Sequence, residues 1–273
     1  MNIQNSKFGA MTPRDEIKAL LHQKELFIFD LDGTLFNTLG DLAPAVNYAM
    51  KQFGLKTHPN EDVKIFIGNG SMNLIRRAVA ANYVGMENIR DIEKVAAVLE
   101  REGYSEESIK EIHKVYSEFY WEHCTENTEP YEGVVELLQR IAASANISKS
   151  RCVATKCAET RCAAMLTNKP VAPAQKILEK FGLENSFATY LCGDTTPERK
   201  PSPAGIFEIF RQTGIAPEKA IMIGDDTPDV QAAKNAGIDC ITLFEGFGKA
   251  ENLLPLEPRY TTGHIKDFAK FID

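Results

Sequence analysis

The feature that most limits how this chain can fold is an isolated strand pattern, LFIFD, at residues 26–30. An unbroken apolar run of this kind is typical of a strand buried on both faces of a parallel sheet. The next strand pattern comes after residue 160, and a single strand cannot bury its own faces. The run must therefore pair with strands from the C-terminal half, so the sheet domain is discontinuous in sequence.

The residues between these two parts are helical in character. Between residues 39 and 127, apolar residues recur at helical spacing in LAPAVNYAMKQFG, SMNLIRRAVAANYV, IEKVAAVLEREG and IKEIHKVYSEFYWEHC. After Pro130, strand and helix patterns alternate, which indicates βαβ units. We therefore predict an α/β fold with a doubly wound parallel sheet. Residues 1–38 and 128–273 form the core, with a short helix near residues 15–23, and residues 39–127 form an inserted helical domain.

Charge and hydropathy disfavour two classes of partner. The chain of 273 residues carries a net charge of −7, whereas a protein that binds nucleic acid needs a basic face. No apolar run approaches the roughly 18 residues that cross a membrane, and residues 1–25 lack the apolar core of a signal peptide. We therefore expect a cytoplasmic protein with no nucleic-acid or membrane partner, either a monomer or a homodimer.

Polar and charged residues gather where the predicted strands end. In doubly wound sheets, ligands bind at the carboxyl ends of the strands, so these residues are candidates for a functional site. They are Asp30, Asp32, Gly33 and Thr34 after the first strand, Thr167, Asn168 and Lys169 after the second, Lys200 after the third, and Asp225, Asp226 and Asp229 after the fourth.

These residue types favour metal-assisted phosphate chemistry. Crowded carboxylates repel one another unless a cation or a proton lies among them, and oxygen ligands without His or Cys suit Mg2+. In phosphoryl transfer, Mg2+ neutralises charge on the transferred group. A lysine, a threonine hydroxyl and backbone N–H groups near Gly33 are suited to hold the phosphoryl oxygens. One aspartate can attack phosphorus, and a second can give a proton to the leaving group.

Four segments carry a family resemblance. DLDGT, LTNKP, ERKPSP and GDDTPD, in this order, resemble the motifs of the haloacid dehalogenase superfamily, and the helical insertion resembles its C1-type cap. Within the superfamily, the segments IGNGSMNLIRRAV, CGDTTPERKPSPAGI and MIGDDTPDVQAAKNAG are most similar to phosphoglycolate phosphatases. The resemblance covers nearly the whole chain from Glu25.

The resemblance implies a role for each motif residue. Asp30 is the nucleophile, and Asp32 is the general acid and base, with its backbone carbonyl on the metal. Lys200 also offsets the charge of Asp30. The implied metal-binding set is Asp30, Asp32, Asp225 and Asp229, with Asp226 as a further support. Thr167 and Lys200 are implied to bind the phosphoryl group, and we also predict Gly33, Thr34 and Asn168 as phosphate-binding residues.

Several assignments have a simpler alternative. Asp226 or Asp229 is also suited to cap the helix that starts at Thr227-Pro228, and Lys169 is equally well explained as a solvated side chain. In the inserted domain, Gly68, Asn69 and Gly70 precede a helix and are a candidate anion site. Arg76 and Arg77 are candidates to bind a substrate carboxylate or a second anionic group. The alternatives there are a plain turn between helices and two arginines that face solvent.

The chain departs from the family pattern at two places. Asn37 stands where the family usually has an acid, which we expect to affect the hinge to the cap rather than the chemistry. Residues 142–163 form an insertion before the second motif, with basic residues and the evenly spaced Cys152, Cys157 and Cys162. Their spacing matches no zinc pattern. We expect a surface excursion without chemistry, although a contact at the site entrance or between subunits stays open.

The sequence thus predicts a Mg2+-dependent phosphatase of a small phosphorylated metabolite, such as 2-phosphoglycolate, acting through an aspartyl phosphate. One alternative is a phosphomutase or pyrophosphatase of the same fold. Another is a non-catalytic regulatory protein, which the complete set of motif residues disfavours. A dehalogenase is disfavoured because Asp32 has no role in a metal-free displacement on carbon.

Overall fold

The computed structural model describes residues 4–5, 10–11, 14–144 and 161–270. The chain divides into two compact units, Met1–Asn37 with Pro130–Asp273, and Thr38–Glu129. We call the first the sheet unit and the second the inserted unit. Residues 145–160, which carry Cys152, Cys157 and most of the predicted insertion, lie outside the described residues.

The strands are short, as expected for an α/β protein. In chain order they are β1 (Gln4–Asn5), β2 (Ala10–Met11), β3 (Leu26–Phe29), β4 (Phe36–Asn37), β5 (Glu129–Pro130), β6 (Cys162–Leu166), β7 (Thr189–Leu191), β8 (Ala220–Gly224), β9 (Asp239–Leu243) and β10 (Tyr260–Thr262). Cys162 is the first residue of β6 and is buried. The predicted insertion therefore ends before Cys162, because this cysteine belongs to the sheet.

Among the described residues, six parallel strands lie side by side in the sheet, in the order β10-β9-β8-β3-β6-β7. β3 lies in the middle, with Phe29 opposite Ile223 of β8 on one side and Met165 of β6 on the other. The short strands β1 and β2 extend the sheet beside β10 in antiparallel fashion, and β4 pairs with β5 separately. The predicted α/β fold with a parallel sheet is confirmed.

Helices cover both faces of this sheet. Those of the sheet unit are α1 (Arg14–His22), α7 (Val134–Ser144), α8 (Val171–Lys180), α9 (Ala204–Thr213), α10 (Thr227–Ala236), α11 (Ala250–Leu253) and α12 (Ile265–Ala269). The strand β10 and the helices α11 and α12 were not predicted, because each has at most five residues, which is too few for a periodic pattern to show.

The central strand is stable because its side chains alternate between two apolar layers. Phe27 and Phe29 pack in a cluster with residues of α1, α7, α8 and α12, whereas Leu26 and Ile28 pack in a cluster with residues of α9 and α10. Phe268 of α12 meets both phenylalanine rings edge-on, with ring centroids 6.2 and 6.3 Å apart. All four β3 side chains are fully buried, and each contributes about 1.5–3 kcal/mol.

The inserted unit is helical and has its own core. Its helices are α2 (Leu39–Gln52), α3 (Asn60–Phe66), α4 (Ser71–Ala80), α5 (Ile92–Arg101) and α6 (Glu106–His123). The sequence predicts roughly four helices here, and the additional one is the short α3. Asp91 and Ser105 start α5 and α6, because each side chain accepts a backbone N–H of the first turn.

One buried carboxylate joins the two ends of the inserted unit. Asp41 of α2 accepts hydrogen bonds from the backbone N–H groups of Asn127 and Thr128, at 2.8 and 2.9 Å. It also accepts from Asn127 Nδ2 and Thr128 Oγ1, at 3.0 and 2.8 Å. These four bonds satisfy a carboxylate that would be costly to bury alone. No helix in the described part of the chain is long and apolar enough to cross a bilayer.

Candidate active site

Three of the predicted site residues lie at the same edge of the sheet. Asp30, Thr167 and Asp225 each follow directly after a strand, and those strands, β3, β6 and β8, are neighbours. Backbone hydrogen bonds fix two of them: the N–H of Asp30 donates to Ile223 O, and that of Thr167 donates to Leu191 O, both at 3.0 Å. The site is therefore built on three adjacent strands at the centre of the sheet.

Lys200 bridges two carboxylates at this edge. Its Nζ atom lies 2.7 Å from Asp30 Oδ1 and 2.6 Å from Asp229 Oδ1. The loop that carries Lys200 is held by Asn168, whose side-chain Oδ1 accepts the N–H of Lys200 at 2.9 Å while its Nδ2 donates to Lys200 O at 3.0 Å. The side chain of Asn168 therefore positions Lys200, and phosphate binding by Asn168 stays a prediction.

Burial and charge act on the ionisation of these groups. Burial raises the pKa of Asp30 to about 7, although Lys200 opposes the shift. Burial and the carboxylates of Asp229 and Asp30 raise the pKa of Asp225 well above its usual range. Burial alone would lower the pKa of Lys200, but Asp229 and Asp30 outweigh it and raise the pKa. The site thus holds more negative charge than one lysine balances.

Asp225 is enclosed by residues of two loops. Thr34 Oγ1 donates to Asp225 Oδ1 at 2.6 Å, and the N–H of Phe247 donates to Asp225 Oδ2 at 2.7 Å. A Cβ atom at Gly33 or at Gly246 would come within 3.0 Å of the Asp225 side chain. The loop around Phe247 was not predicted as part of the site, although the sequence EGFG directly follows a strand pattern. Extending the strand-end test to β9 would have found it.

The turn after β3 corrects two predicted phosphate-binding residues. The N–H of Gly33 donates to Phe36 O at 2.9 Å, and that of Thr34 donates to Leu31 O at 3.4 Å. The Thr34 hydroxyl is engaged with Asp225, and its side chain is fully buried. Both residues therefore use these groups to hold the turn and Asp225 in place. Gly33 is needed because its φ of 88° favours glycine and because its neighbour Asp225 leaves no space.

Asp226 and Asp229 share the start of α10. Asp226 is the N-cap, and its Oδ1 accepts the N–H of Thr227 at 2.8 Å. Asp229 Oδ2 accepts the N–H groups of Asp225 and Asp226, both at 3.1 Å, which completes a capping box. The capping alternative therefore holds for Asp226. Asp229 caps the helix and also belongs to the site, because its other oxygen pairs with Lys200.

The acidic cluster fits a hard cation. One ligand atom from each of Asp30, Asp225 and Asp229 lies within 4.8 Å of the others. The Oδ1 atom of Asp30 is buried and makes no hydrogen bond, although it contacts the Lys200 ammonium. A buried carboxylate oxygen that lies beside two further carboxylates is suited to Mg2+. Asp32 offers no side-chain ligand to this cluster, because its carboxylate pairs with Lys169 at 2.8 Å.

The second strand end contributes a hydroxyl and a lysine. Thr167 is 2 % exposed, and its Oγ1 accepts the N–H of Lys169 at 3.2 Å, which leaves the hydroxyl hydrogen to donate. Lys169 is buried, which rules out the solvated alternative. Sequence reasoning left Lys169 undecided, since a lysine after a strand has no pattern that distinguishes a buried from a solvated position.

The candidates in the inserted unit form a loop and its support. Gly68, Asn69 and Gly70 all have positive φ angles, of 106°, 60° and 87°. Arg77 is 2 % exposed and donates to the carbonyl oxygens of Phe66 and Gly68. Its other amine reaches Asn69 Oδ1. Arg77 therefore holds this loop instead of binding a substrate carboxylate or facing solvent.

Arg76 has partners of its own within the inserted unit. Its guanidinium donates to Asn73 Oδ1 and pairs with Glu106 of α6. The pair is partly exposed, so we expect it to add less than about 1 kcal/mol to stability.

The carboxyl edge of the parallel sheet thus combines three aspartates with a buried lysine. The sequence profile of the haloacid dehalogenase-like hydrolases matches residues 27–243. The chain belongs to this family, which confirms the resemblance of its four motifs and the prediction that it is a hydrolase.

Particular relatives cover nearly the whole chain. A phosphoglycolate phosphatase of Psychrobacter arcticus is 30% identical over 92% of this chain and 95% of its own length. Phosphoglycolate phosphatase 1 of Pseudomonas aeruginosa is 30% identical over 91% of this chain and 79% of its own. A crystal structure of a predicted phosphoglycolate phosphatase from Haemophilus somnus superimposes with a TM-score of 0.74 at 27% identity, covering 92% of this chain and 99% of that one.

Proposed function

We propose that the chain is a Mg2+-dependent phosphatase that hydrolyses a small phosphomonoester through an aspartyl phosphate, with 2-phosphoglycolate as the first candidate substrate. The observation that carries the proposal is the placement of Asp30. Its carboxylate lies at the end of the central strand, 2.7 Å from Lys200 and beside the carboxylates of Asp225 and Asp229. The names of the relatives support the choice of substrate.

Asp30, Asp225 and Asp229 are the residues that would hold Mg2+, which supplies positive charge against the phosphoryl oxygens when bound. Lys200 orients Asp30 and offsets its charge, so the carboxylate can approach an anionic phosphate. The Thr167 hydroxyl is placed to donate to a phosphoryl oxygen at the same edge.

The reaction proceeds in two displacements at phosphorus. In the first, an oxygen of Asp30 forms a bond to phosphorus while the bond to the leaving-group oxygen breaks, and Asp32 gives its proton to that oxygen. In the second, the Asp32 carboxylate takes a proton from water, whose oxygen bonds to phosphorus as the Asp30–phosphorus bond breaks. Asp30 is regenerated as a carboxylate, and inorganic phosphate leaves.

The test is a phosphate-release assay on the purified protein. The panel contains 2-phosphoglycolate, other small phosphomonoesters and pyrophosphate, each with Mg2+ and with a chelator. We expect release from phosphomonoesters that the chelator abolishes, and we expect Asp30→Asn to lower it by at least about 10³-fold. Release from pyrophosphate alone, or substantial activity of Asp30→Asn, would contradict the proposal.

A further inference from the structure

We propose that Lys169 is the positioning residue of Asp32, holding this carboxylate in the orientation that transfers protons in both displacements. The inference rests on the proposed function, since it assigns Asp32 to proton transfer. It starts from the ion pair between Lys169 Nζ and Asp32 Oδ1, which are 2.8 Å apart. The two residues come from neighbouring strand ends, 137 positions apart in sequence.

Both ends of the Lys169 backbone unit are fixed. Its N–H donates to Thr167 Oγ1 at 3.2 Å, and its carbonyl accepts the N–H of Gly193 at 2.9 Å. A Cβ atom at Gly193 would come within 3.0 Å of Asn168 O, so the two loops are in close contact. The Lys169 side chain therefore extends from a rigid point, and its Nζ can define where Asp32 lies.

Burial makes the ion pair specific. The side chain of Lys169 is 3 % exposed and that of Asp32 is 17 % exposed. A buried ammonium needs a carboxylate or another acceptor close by, because the loss of water is not otherwise compensated. Asp32 supplies one such partner, so a rotation of Asp32 away from this position loses the contact and costs free energy. A surface pair, which water screens, would give little such restraint.

The two buried lysines contact different acidic residues. Lys200 contacts Asp30 and Asp229, whereas Lys169 contacts Asp32. Lys200 thus serves the nucleophile, and Lys169 serves the residue that moves protons. A carboxylate that must act on a leaving-group oxygen and later on water needs a defined orientation, since a misplacement of about 1 Å can cost a factor of 10² in rate.

The choice of leaving group distinguishes a lysine that positions Asp32 from a lysine with only a structural role. A p-nitrophenolate leaves without a proton, whereas an alkoxide needs one. In Lys169→Met we expect transfer of the phosphoryl group to the enzyme to slow about 10–100-fold with 2-phosphoglycolate or the best alkyl substrate, and less than about 3-fold with p-nitrophenyl phosphate. Single-turnover rapid quench measures the first, and stopped-flow absorbance measures the second.

The second displacement supplies an independent readout. It needs Asp32 as a base with every substrate, so Lys169→Met should show a stoichiometric burst of p-nitrophenolate followed by slow turnover. Lys169→Arg keeps a cation, so it should recover part of the alkyl-phosphate rate. It also keeps the proposal testable if Lys169→Met misfolds. Lys234→Met, at an exposed lysine of α10, is the matched control, and thermal melts of all variants check folding.

A double mutant separates action through Asp32 from direct contact with phosphate. If Lys169 acts through Asp32, adding Lys169→Met to Asp32→Asn lowers the rate no further. The inference would be overturned if Lys169→Met slowed the first displacement equally with both leaving groups, or if the losses added in the double mutant. Either result would leave the proposed phosphatase activity in place. A wild-type protein that cleaves neither substrate would instead contradict the proposed function.

Discussion

The loop after β9 holds Asp225 in place, and Gly246→Ala tests this. The structure leaves no room at Gly246, because a Cβ atom there would come within 3.0 Å of Asp225 Cβ, Asp225 Oδ2 and Gly33 O. The φ of Gly246 lies outside the region reserved for glycine. Any effect is therefore a steric effect on Asp225 and on the turn after β3.

The size of the effect follows from the overlap. Ordinary contact begins near 3.4 Å, so the loop or Asp225 must move by several tenths of an ångström or more. Overpacking of this kind costs about 1–3 kcal/mol, which corresponds to a Tm lower by about 2–12 °C in a chain of this size. A shift of Asp225 by about 1 Å would lower phosphate release by about 10²-fold.

The assay compares Gly246→Ala with Gly263→Ala. Gly263 has no atom within 4 Å of an added Cβ and no positive φ, so its substitution should leave Tm and activity close to those of the wild type. Thermal melts and phosphate release are measured on both, with Mg2+ concentration varied. The argument would be refuted by a Gly246→Ala variant with wild-type activity and Mg2+ dependence, or by equal losses in the control.

Three further predictions follow from buried polar groups. Thr34→Val removes the hydrogen bond to Asp225 and should cost about 1.5–3 kcal/mol in urea unfolding. Asp41→Ala removes four hydrogen bonds, so hydrogen exchange of the inserted unit should rise and stability should fall by at least about 3 kcal/mol. Because burial raises the pKa of Asp30 to about 7, the folded state favours its protonated form. Its contribution to stability is therefore present near pH 4 and lost between about pH 4 and 7 in the chelated protein, and Mg2+ should raise Tm more at pH 8 than at pH 5. A Tm that does not change with Mg2+ at either pH would refute this.

Much of the site was visible in the sequence because strand ends are local features. An apolar run followed by Asp30 places that aspartate at the carboxyl edge of a sheet, wherever the strand lies in it. The same reasoning applies to Thr167 and Asp225, and the structure brings all three to neighbouring strands. The short elements β10, α3, α11 and α12 escaped because they have too few residues for a period to show.

The roles of neighbouring residues were harder to predict, because they depend on contacts between distant segments. Thr34 and Asn168 look like phosphate ligands in sequence, but their side-chain polar atoms contact Asp225 and Lys200. Arg77 looks like a surface cation, yet it is buried and holds the loop before α4. Hydrogen-bond partners of this kind are chosen by three-dimensional proximity, which a motif does not encode.

The sequence by itself determined the discontinuous α/β fold, the helical insertion and the identity of the acidic residues, because apolar period and strand-end composition are written locally along the chain. Only the tertiary structure decided how charge is divided among them. Lys200 lies between Asp30 and Asp229, and Lys169 reaches Asp32 across two strand ends. Burial makes these pairings specific, since a desolvated charge requires a partner within a few ångströms, and the order of strands in the sheet selects which partner that is.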